Sequence, residues 1–327
     1  MESPPHMYIR GRPGERKLTM YDIIIIGGGP AGLTAALYAR RANKTVLILE
    51  KETFGGQITF SPKVENIPGF SAVSGNEFAE KLVDQVLAQG ADVESAEATA
   101  VEAGKEPDGG FIVTADGQAY SARAVIVATG ARHRLLGLDR EEDLIGNGIS
   151  FCAVCDGAFY ADRPVAVVGG GNSALQEALL LADTAARVTV VQNLDFLTGE
   201  QKLQEQLSQR ENVEIITGHV VDALFGEDAL AGIRIRRVSD GATTDLSVDG
   251  LFVAVGLVPQ NTAFANILTL DPWGYAEADE SCTTTVPGVF VAGDCRRKRI
   301  RQVTTAAADG AVAALAACDY LDQKGQS

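Results

Sequence analysis

No apolar run in this 327-residue chain approaches the ~18–20 residues needed to cross a bilayer, so no transmembrane segment is expected. The first stretch, MESPPHMYIRGRPGERKLTM, is Pro-rich and basic but lacks the apolar core of a secretory signal. Residues 1–20 read as a flexible extension, with Met20 an alternative start. Positive charge is scarce: 28 Lys and Arg stand against 43 Asp and Glu, and the net charge of −15 argues against a nucleic-acid partner. Cysteine is sparse and odd in number, five in all, which does not fit a secreted disulfide framework; a cytoplasmic location is the expectation. Glycine, by contrast, is plentiful at 35 residues, above the usual share of about 7%, and implies many tight backbone turns. The length itself points to two domains.

An internal repeat organises the chain. YDIIIIGGGPAGLTAALYARRANKTVLILE (21–50) and RPVAVVGGGNSALQEALLLADTAARVTVVQ (163–192) align with Gly27 on Gly169 and Gly29 on Gly171. Each copy reads strand, glycine turn, Ala/Leu-rich helix, strand. The strands are continuous apolar runs rather than alternating ones, as in a parallel sheet buried on both faces. Such a turn lets the backbone approach a pyrophosphate, which the N–H groups and dipole of the following helix attract. In the first copy Gly27, Gly29 and Gly32 open the helix and Glu50 ends the next strand, where a carboxylate can accept both ribose hydroxyl protons; an adenine dinucleotide is expected there. The second copy keeps Gly169, Gly171 and Ala174, but the counterpart of Glu50 is Gln192. An amide lacks the charge that favours NAD, and no Arg follows to meet the NADP phosphate.

The remainder reads coarsely. GNEFAEKLVDQVLAQG (75–90) is an amphipathic helix, 91–127 a small antiparallel meander, EQKLQEQLSQR (200–210) a charged surface helix, and 233–256 hairpin strands. A last helix follows VTTAAADG and runs to about Leu321. LDREEDLIGNG (138–148) is the linker candidate between the repeats. The fold class is α/β, two Rossmann-like dinucleotide-binding domains with the second inserted into the first. The expected boundaries are 21–132 and 255–327 for the split first domain and 133–254 for the insertion.

Cys152 and Cys155 stand in FCAVCDGAFY, followed by Asp156. A zinc half-site, a redox dithiol and two inert core cysteines compete for this motif. Zinc needs four ligands, and there is no second CxxC and no suitably spaced His among His6, His133 and His219. A redox pair is favoured, because the C-x-x-C turn brings the thiols together and lowers one thiol pKa. Asp156 is then a candidate acid for a departing thiolate or a reduced flavin. Cys282, Cys295 and Cys318 read as packing residues.

These residues resemble the low-molecular-weight thioredoxin reductase family over 20–321. The matching stretches are GGGPAG (27–32), GGQ (55–57), VENIPGF (64–70), ATG (128–130), CAVCDG (152–157), GGGNSA (169–174), GLVPQNT (256–262), TTTVPGVFVAGD (283–294) and RQVTTAAADG (301–310). The resemblance implies an FAD domain split around an inserted, CxxC-bearing NADPH domain, assembled as a homodimer. It implies FAD contacts from Gly27, Gly29, Pro30, Ala31 and Gly32, then from Glu50, Lys51, Gly56, Gln57 and Asn66. Asp294, Arg301, Gln302 and Val303 would complete them. Cys155 would face the flavin and Cys152 would exchange with a thioredoxin-like protein dithiol.

Two departures stand against this background. The family's His-Arg-Arg-Asp run and third Arg, which clamp the NADPH phosphate, align with Gln192-Asn193-Leu194-Asp195 and Thr198. Loss of three guanidinium contacts costs on the order of 10³-fold in affinity, so NADPH use is not expected. CRRKRIR (295–301) is strongly basic for an acidic protein, either a solvated cluster or an anion site for a ferredoxin or another nucleotide. Together the departures resemble pyridine-nucleotide-independent members of the family. The expected function is an FAD-dependent disulfide oxidoreductase acting on a protein dithiol without NADPH. The alternatives are a dithiol oxidase with a second FAD, an ordinary NAD(P)H-dependent thioredoxin reductase with altered nucleotide recognition, and a non-catalytic flavin-binding partner protein. Retention of Cys152, Cys155 and Asp156 together speaks against the last.

Overall fold

The computed structural model describes residues 20–61, 63–104 and 109–325; the extension 1–20, apart from Met20, lies outside them. The chain divides into two compact units. One takes the chain up to Ile58, Glu77–Ala131 and Pro259 onward; the other takes Thr59–Asn76 and Arg132–Val258. No helix among the described residues is long and apolar enough to cross a membrane.

The first unit is built on strand Tyr21–Ile26, whose YDIIII run buries side chains on both faces. Ile23 and Ile25 face helices Pro30–Arg41 and Val303–Lys324, meeting Leu33, Ala36, Ala313 and Ala317. Ile24 and Ile26 face the opposite layer, with Val101, Phe111, Val113 and Phe264. Each fully buried Ile contributes about 1.5–3 kcal/mol, so the repeat's apolar strand is a main source of stability. Val46–Glu50 and Gln118–Val127 flank it in parallel. The long strand Gln118–Val127 serves two sheets in one. Its first half pairs antiparallel with Phe111–Ala115, while Val125–Val127 also carry Val289–Val291 in parallel. Helix Val303–Lys324 approaches helix Pro30–Arg41 so closely that a Cβ on Gly310 would lie 3.0 Å from the Ala31 carbonyl carbon. The Ala-rich sequence on both helices permits that approach.

The second unit repeats the theme with a parallel sheet in the order Val213–Ile216, Arg187–Val191, Pro164–Val168, Gly250–Val253, Ile149–Ser150. Helix Asn172–Ala182 covers one face through Leu175, Ala178 and Leu181. The antiparallel strands His219–Phe225, Gly232–Arg237 and Thr243–Leu246 cover the other through Val221, Ile233 and Ile235.

Three sequence expectations change. Asp92–Ser95 is a parallel edge strand beside Val46–Glu50, not part of the meander. Gly250–Val253 leaves the hairpin for the parallel sheet, because GLFV is buried at every position, as a central strand requires. LDREEDLIGNG is not a free linker. Leu144 is in the second unit's core, and the buried Glu141 carboxylate accepts N–H bonds from Leu136 and Gly137 at 2.8 Å each and from Leu138 at 3.2 Å. The other four charges, Asp139, Arg140, Glu142 and Asp143, mark the outer side of a packed turn.

Candidate functional site

In the first unit the glycine turn has the shape a dinucleotide needs. Gly27 has φ +110°, and a Cβ there would lie 2.7 Å from the Ala128 carbonyl carbon. Gly29 caps helix Pro30–Arg41 without a side chain, and Pro30 occupies the first turn, where it has no N–H to leave unpaired. The remaining N–H groups are available to an anion. Glu50 is held beside the turn: Gly28 N–H donates to Oε2 at 2.7 Å and Glu52 N–H to Oε1 at 2.8 Å. Gly56, at φ +62°, brings its backbone against Gly29, and Gln57 donates to the Ala131 carbonyl. Gly293 reaches Ala31 from the far end of the chain, so Gly27, Gly29, Pro30, Ala31, Gly32, Glu50, Gly56 and Asp294 are brought together. Lys51 follows Glu50 at the surface and pairs with Glu97 at 3.5 Å. Asn66 belongs to the second unit.

The loop after Val289–Val291 carries the remaining candidates. Asp294 Oδ1 is buried without a hydrogen-bond partner, with Lys298 Nζ 3.7 Å away. Burial pushes its carboxyl pKa up, against the pull of Lys298 and Arg301. Arg301 lies 4.3 Å over the Tyr275 ring, and its Nε is likewise buried and unpartnered. Gln302 and Thr305 form a reciprocal cap on the helix that begins at Val303.

The basic run is largely folded inward. Arg296 binds Asp309 through two nitrogens at 3.0 and 3.3 Å, and Lys298 binds the same carboxylate at 3.0 Å. Arg297 pairs with Glu277. Of the cations for which a solvated cluster and an anion site were the competing readings, only Arg297 and Arg299 are exposed. Asp309→Ala strips buried Arg296 of its carboxylate and leaves Lys298 only Asp294 at 3.7 Å, and a loss of about 3–5 kcal/mol is expected in urea unfolding of the flavin-free protein. An unmoved midpoint would contradict the ion-pair role.

In the second unit Gly169 repeats the turn at φ +131°, where a Cβ would lie 2.6 Å from the Ala254 oxygen. Gln192 is buried and turned inward: its Nε2 donates to the Phe196 carbonyl at 3.3 Å, and its Oε1 accepts from Asn193 N–H at 3.1 Å. Asn193, Leu194 and Thr198 are exposed, as is Phe196. Thr198 and Gly199 N–H groups both bond the Gly170 carbonyl at 2.8 Å, which fixes this loop beside the glycine turn.

Cys152 and Cys155 form a disulfide with Cα atoms 5.3 Å apart. Cys152 caps the short helix Ala153–Asp156, and its sulfur accepts from Cys155 N–H at 3.2 Å. Asp156 is buried enough to raise its pKa, partly offset by a 2.6 Å hydrogen bond from Ser150. Cys282, Cys295 and Cys318 are free and buried. Among the described residues no three His, Cys, Asp or Glu side chains group to hold a metal.

Sequence reasoning missed Ser150, Tyr275 and Asp309. Asp309 was discoverable as the one charge inside AAADGAVAALAA; Ser150 and Tyr275 carry no periodic or motif signal.

The chain matches the pyridine nucleotide-disulphide oxidoreductase family over residues 21–310. It is 42% identical to a thioredoxin reductase of Listeria monocytogenes over 94% of this chain and 96% of that protein. It is 41% identical to a Clostridium pasteurianum 34.2 kDa protein in a rubredoxin operon, over 93% of this chain and 98% of that one. The solved thioredoxin reductase of Streptococcus pyogenes superposes with a TM-score of 0.88 at 38% identity, covering 94% of this chain and all of that one. The chain belongs to the pyridine nucleotide-disulphide oxidoreductase family, as a thioredoxin reductase-like flavin disulfide oxidoreductase.

Proposed function

We propose that the protein exchanges electrons between FAD, the Cys152–Cys155 disulfide and a thioredoxin-like protein dithiol, works as a homodimer, and does not use NADPH as its reductant. The observation that carries the last point is the loop after Arg187–Val191. There the Gln192 amide is spent on Phe196 and Asn193, and exposed Asn193, Leu194 and Thr198 stand where a phosphate clamp needs guanidinium groups. Residues 21–132 and 255–327 are the proposed FAD domain and 133–254 the inserted one.

The first unit fits FAD. Asp294 Oδ1 lacks a donor and Arg301 Nε lacks an acceptor, a complementary pair for the hydroxyl and oxygen groups of the cofactor. Gly27, Gly29 and the start of helix Pro30–Arg41 would hold the pyrophosphate, and Glu50 the ribose. FAD supplies, when bound, a two-electron couple. The chain's own residues then handle sulfur and protons: Cys152 and Cys155 exchange with the target, and Asp156 supplies or accepts a proton.

Glu50→Ala is expected to weaken FAD binding at least tenfold, because the ribose loses a charged acceptor. Full occupancy and an unchanged thermal midpoint in that variant would count against the assignment. A thiol oxidase carrying a second FAD is the other reading, favoured by the exposed Leu194 and Phe196 beside the second glycine turn. Flavin content per chain, measured on protein purified without additives, separates them: one equivalent for the first reading, two for the second.

A further inference from the structure

Ser150 ends the edge strand Ile149–Ser150 and is almost fully buried. Its Oγ makes two hydrogen bonds that meet at the redox turn. It accepts from Cys152 N–H at 3.1 Å, and it lies 2.6 Å from Asp156 Oδ2. The other carboxyl oxygen, Asp156 Oδ1, is buried and has no hydrogen-bond partner. A serine hydroxyl has a single proton. The Cys152 N–H can only donate, so it occupies a lone pair, and the hydroxyl proton is directed at Oδ2.

We infer that Ser150 is a positioning residue that confines the transferable proton of Asp156 to Oδ1 and ties the acid to the backbone of Cys152. The inference rests on the thiol–disulfide exchange reading above. When the reduced pair meets a target disulfide, Cys152 sulfur bonds one target sulfur as the target S–S bond breaks. The departing target sulfur leaves as a thiolate and takes the proton from Asp156 Oδ1. Cys155 then attacks Cys152 sulfur, the Cys152–Cys155 bond forms, and the second target thiolate leaves. Two electrons pass from the pair to the target. The proton that the Cys155 thiol releases as it attacks returns to Asp156, and the proton that the Cys152 thiol released at the first attack reaches the second target thiolate through solvent, so two protons leave the pair and two arrive on the target. With Oδ2 held by Ser150, the acid does not divide its proton between a productive and an unproductive oxygen. The same bond stabilises the carboxylate, and its loss moves the titration of Asp156 upward.

Fully reduced, FAD-loaded wild type, Ser150→Ala and Ser150→Thr are to be mixed rapidly with two small disulfides across the neutral pH range. One is the aryl disulfide dithiobis-nitrobenzoate, whose leaving thiolate needs no proton. The other is hydroxyethyl disulfide, whose alkyl thiolate does. In Ser150→Ala the alkyl-to-aryl rate ratio should fall about tenfold, with the pH limb of the alkyl reaction moved to higher pH. Ser150→Thr, which keeps the hydroxyl, should restore both. A ratio and pH limb that stay at the wild-type values, or two rates that fall together, would reduce Ser150 to a structural cap and overturn the inference. A reduced wild type that reacts with neither probe would instead defeat the exchange reading on which it rests.

Discussion

Replacing both Cys152 and Cys155 by serine is expected to remove two electrons from the protein's reductive capacity and to abolish exchange with a protein dithiol. The disulfide between them is one two-electron store, and the remaining three cysteines are buried and reduced. Denatured wild type should therefore titrate three thiols when oxidised and all five after reduction, while the double variant should titrate three in both states. Anaerobic photoreduction should show the same difference of two electrons. The loss is one of chemistry and not of folding. The loop closed by the bond is so short that its removal costs about 2 kcal/mol at most, and the helix it caps is a single turn. Equal electron uptake by wild type and the double variant would remove the redox role. So would five titratable thiols in the oxidised wild type.

The second large effect concerns the nucleotide. NADPH and NADH are expected to reduce the protein far too slowly to support turnover. The Asn193→Arg, Leu194→Arg, Thr198→Arg triple variant should then bind NADPH on the order of 10³-fold more tightly. All three positions are exposed, so the arginines displace no core. Position 198 is well placed for the test, because its backbone is bonded to the Gly170 carbonyl at 2.8 Å, directly beside the turn that would carry the pyrophosphate. Gln192 is a different matter. It is buried with its amide bonded at both ends, and it offers the ribose neither a charge nor an unengaged amide. NADPH binding that returns without flavin reduction would show that the clamp is not the sole missing element. Rapid reduction of the unaltered protein by micromolar NADPH would defeat the proposal and make this chain an ordinary NADPH-dependent enzyme.

Local requirements were legible in the sequence. The two glycine turns announced themselves because a backbone at φ +110° or +131°, pressed against Ala128 or Ala254, accepts no side chain. The buried parallel strands were visible as unbroken apolar runs, and the redox pair as two sulfurs one helical turn apart. Other features depend on pairings between residues far apart in the chain, and only the tertiary structure decided them. The basic run 295–301 looked like an outward patch until Asp309, on a helix whose position is set by Ala–Ala packing against Pro30–Arg41, drew Arg296 and Lys298 inward. Lys51 follows Glu50 directly, and its ion-pair partner, Glu97, lies 46 residues on in the sequence. Gly250–Val253 has hairpin neighbours in sequence, but the empty place beside Pro164–Val168 claimed it. Ser150 gained its role because a two-residue strand on the sheet edge places its hydroxyl between Cys152 and Asp156, a distance relation that no spacing along the chain encodes.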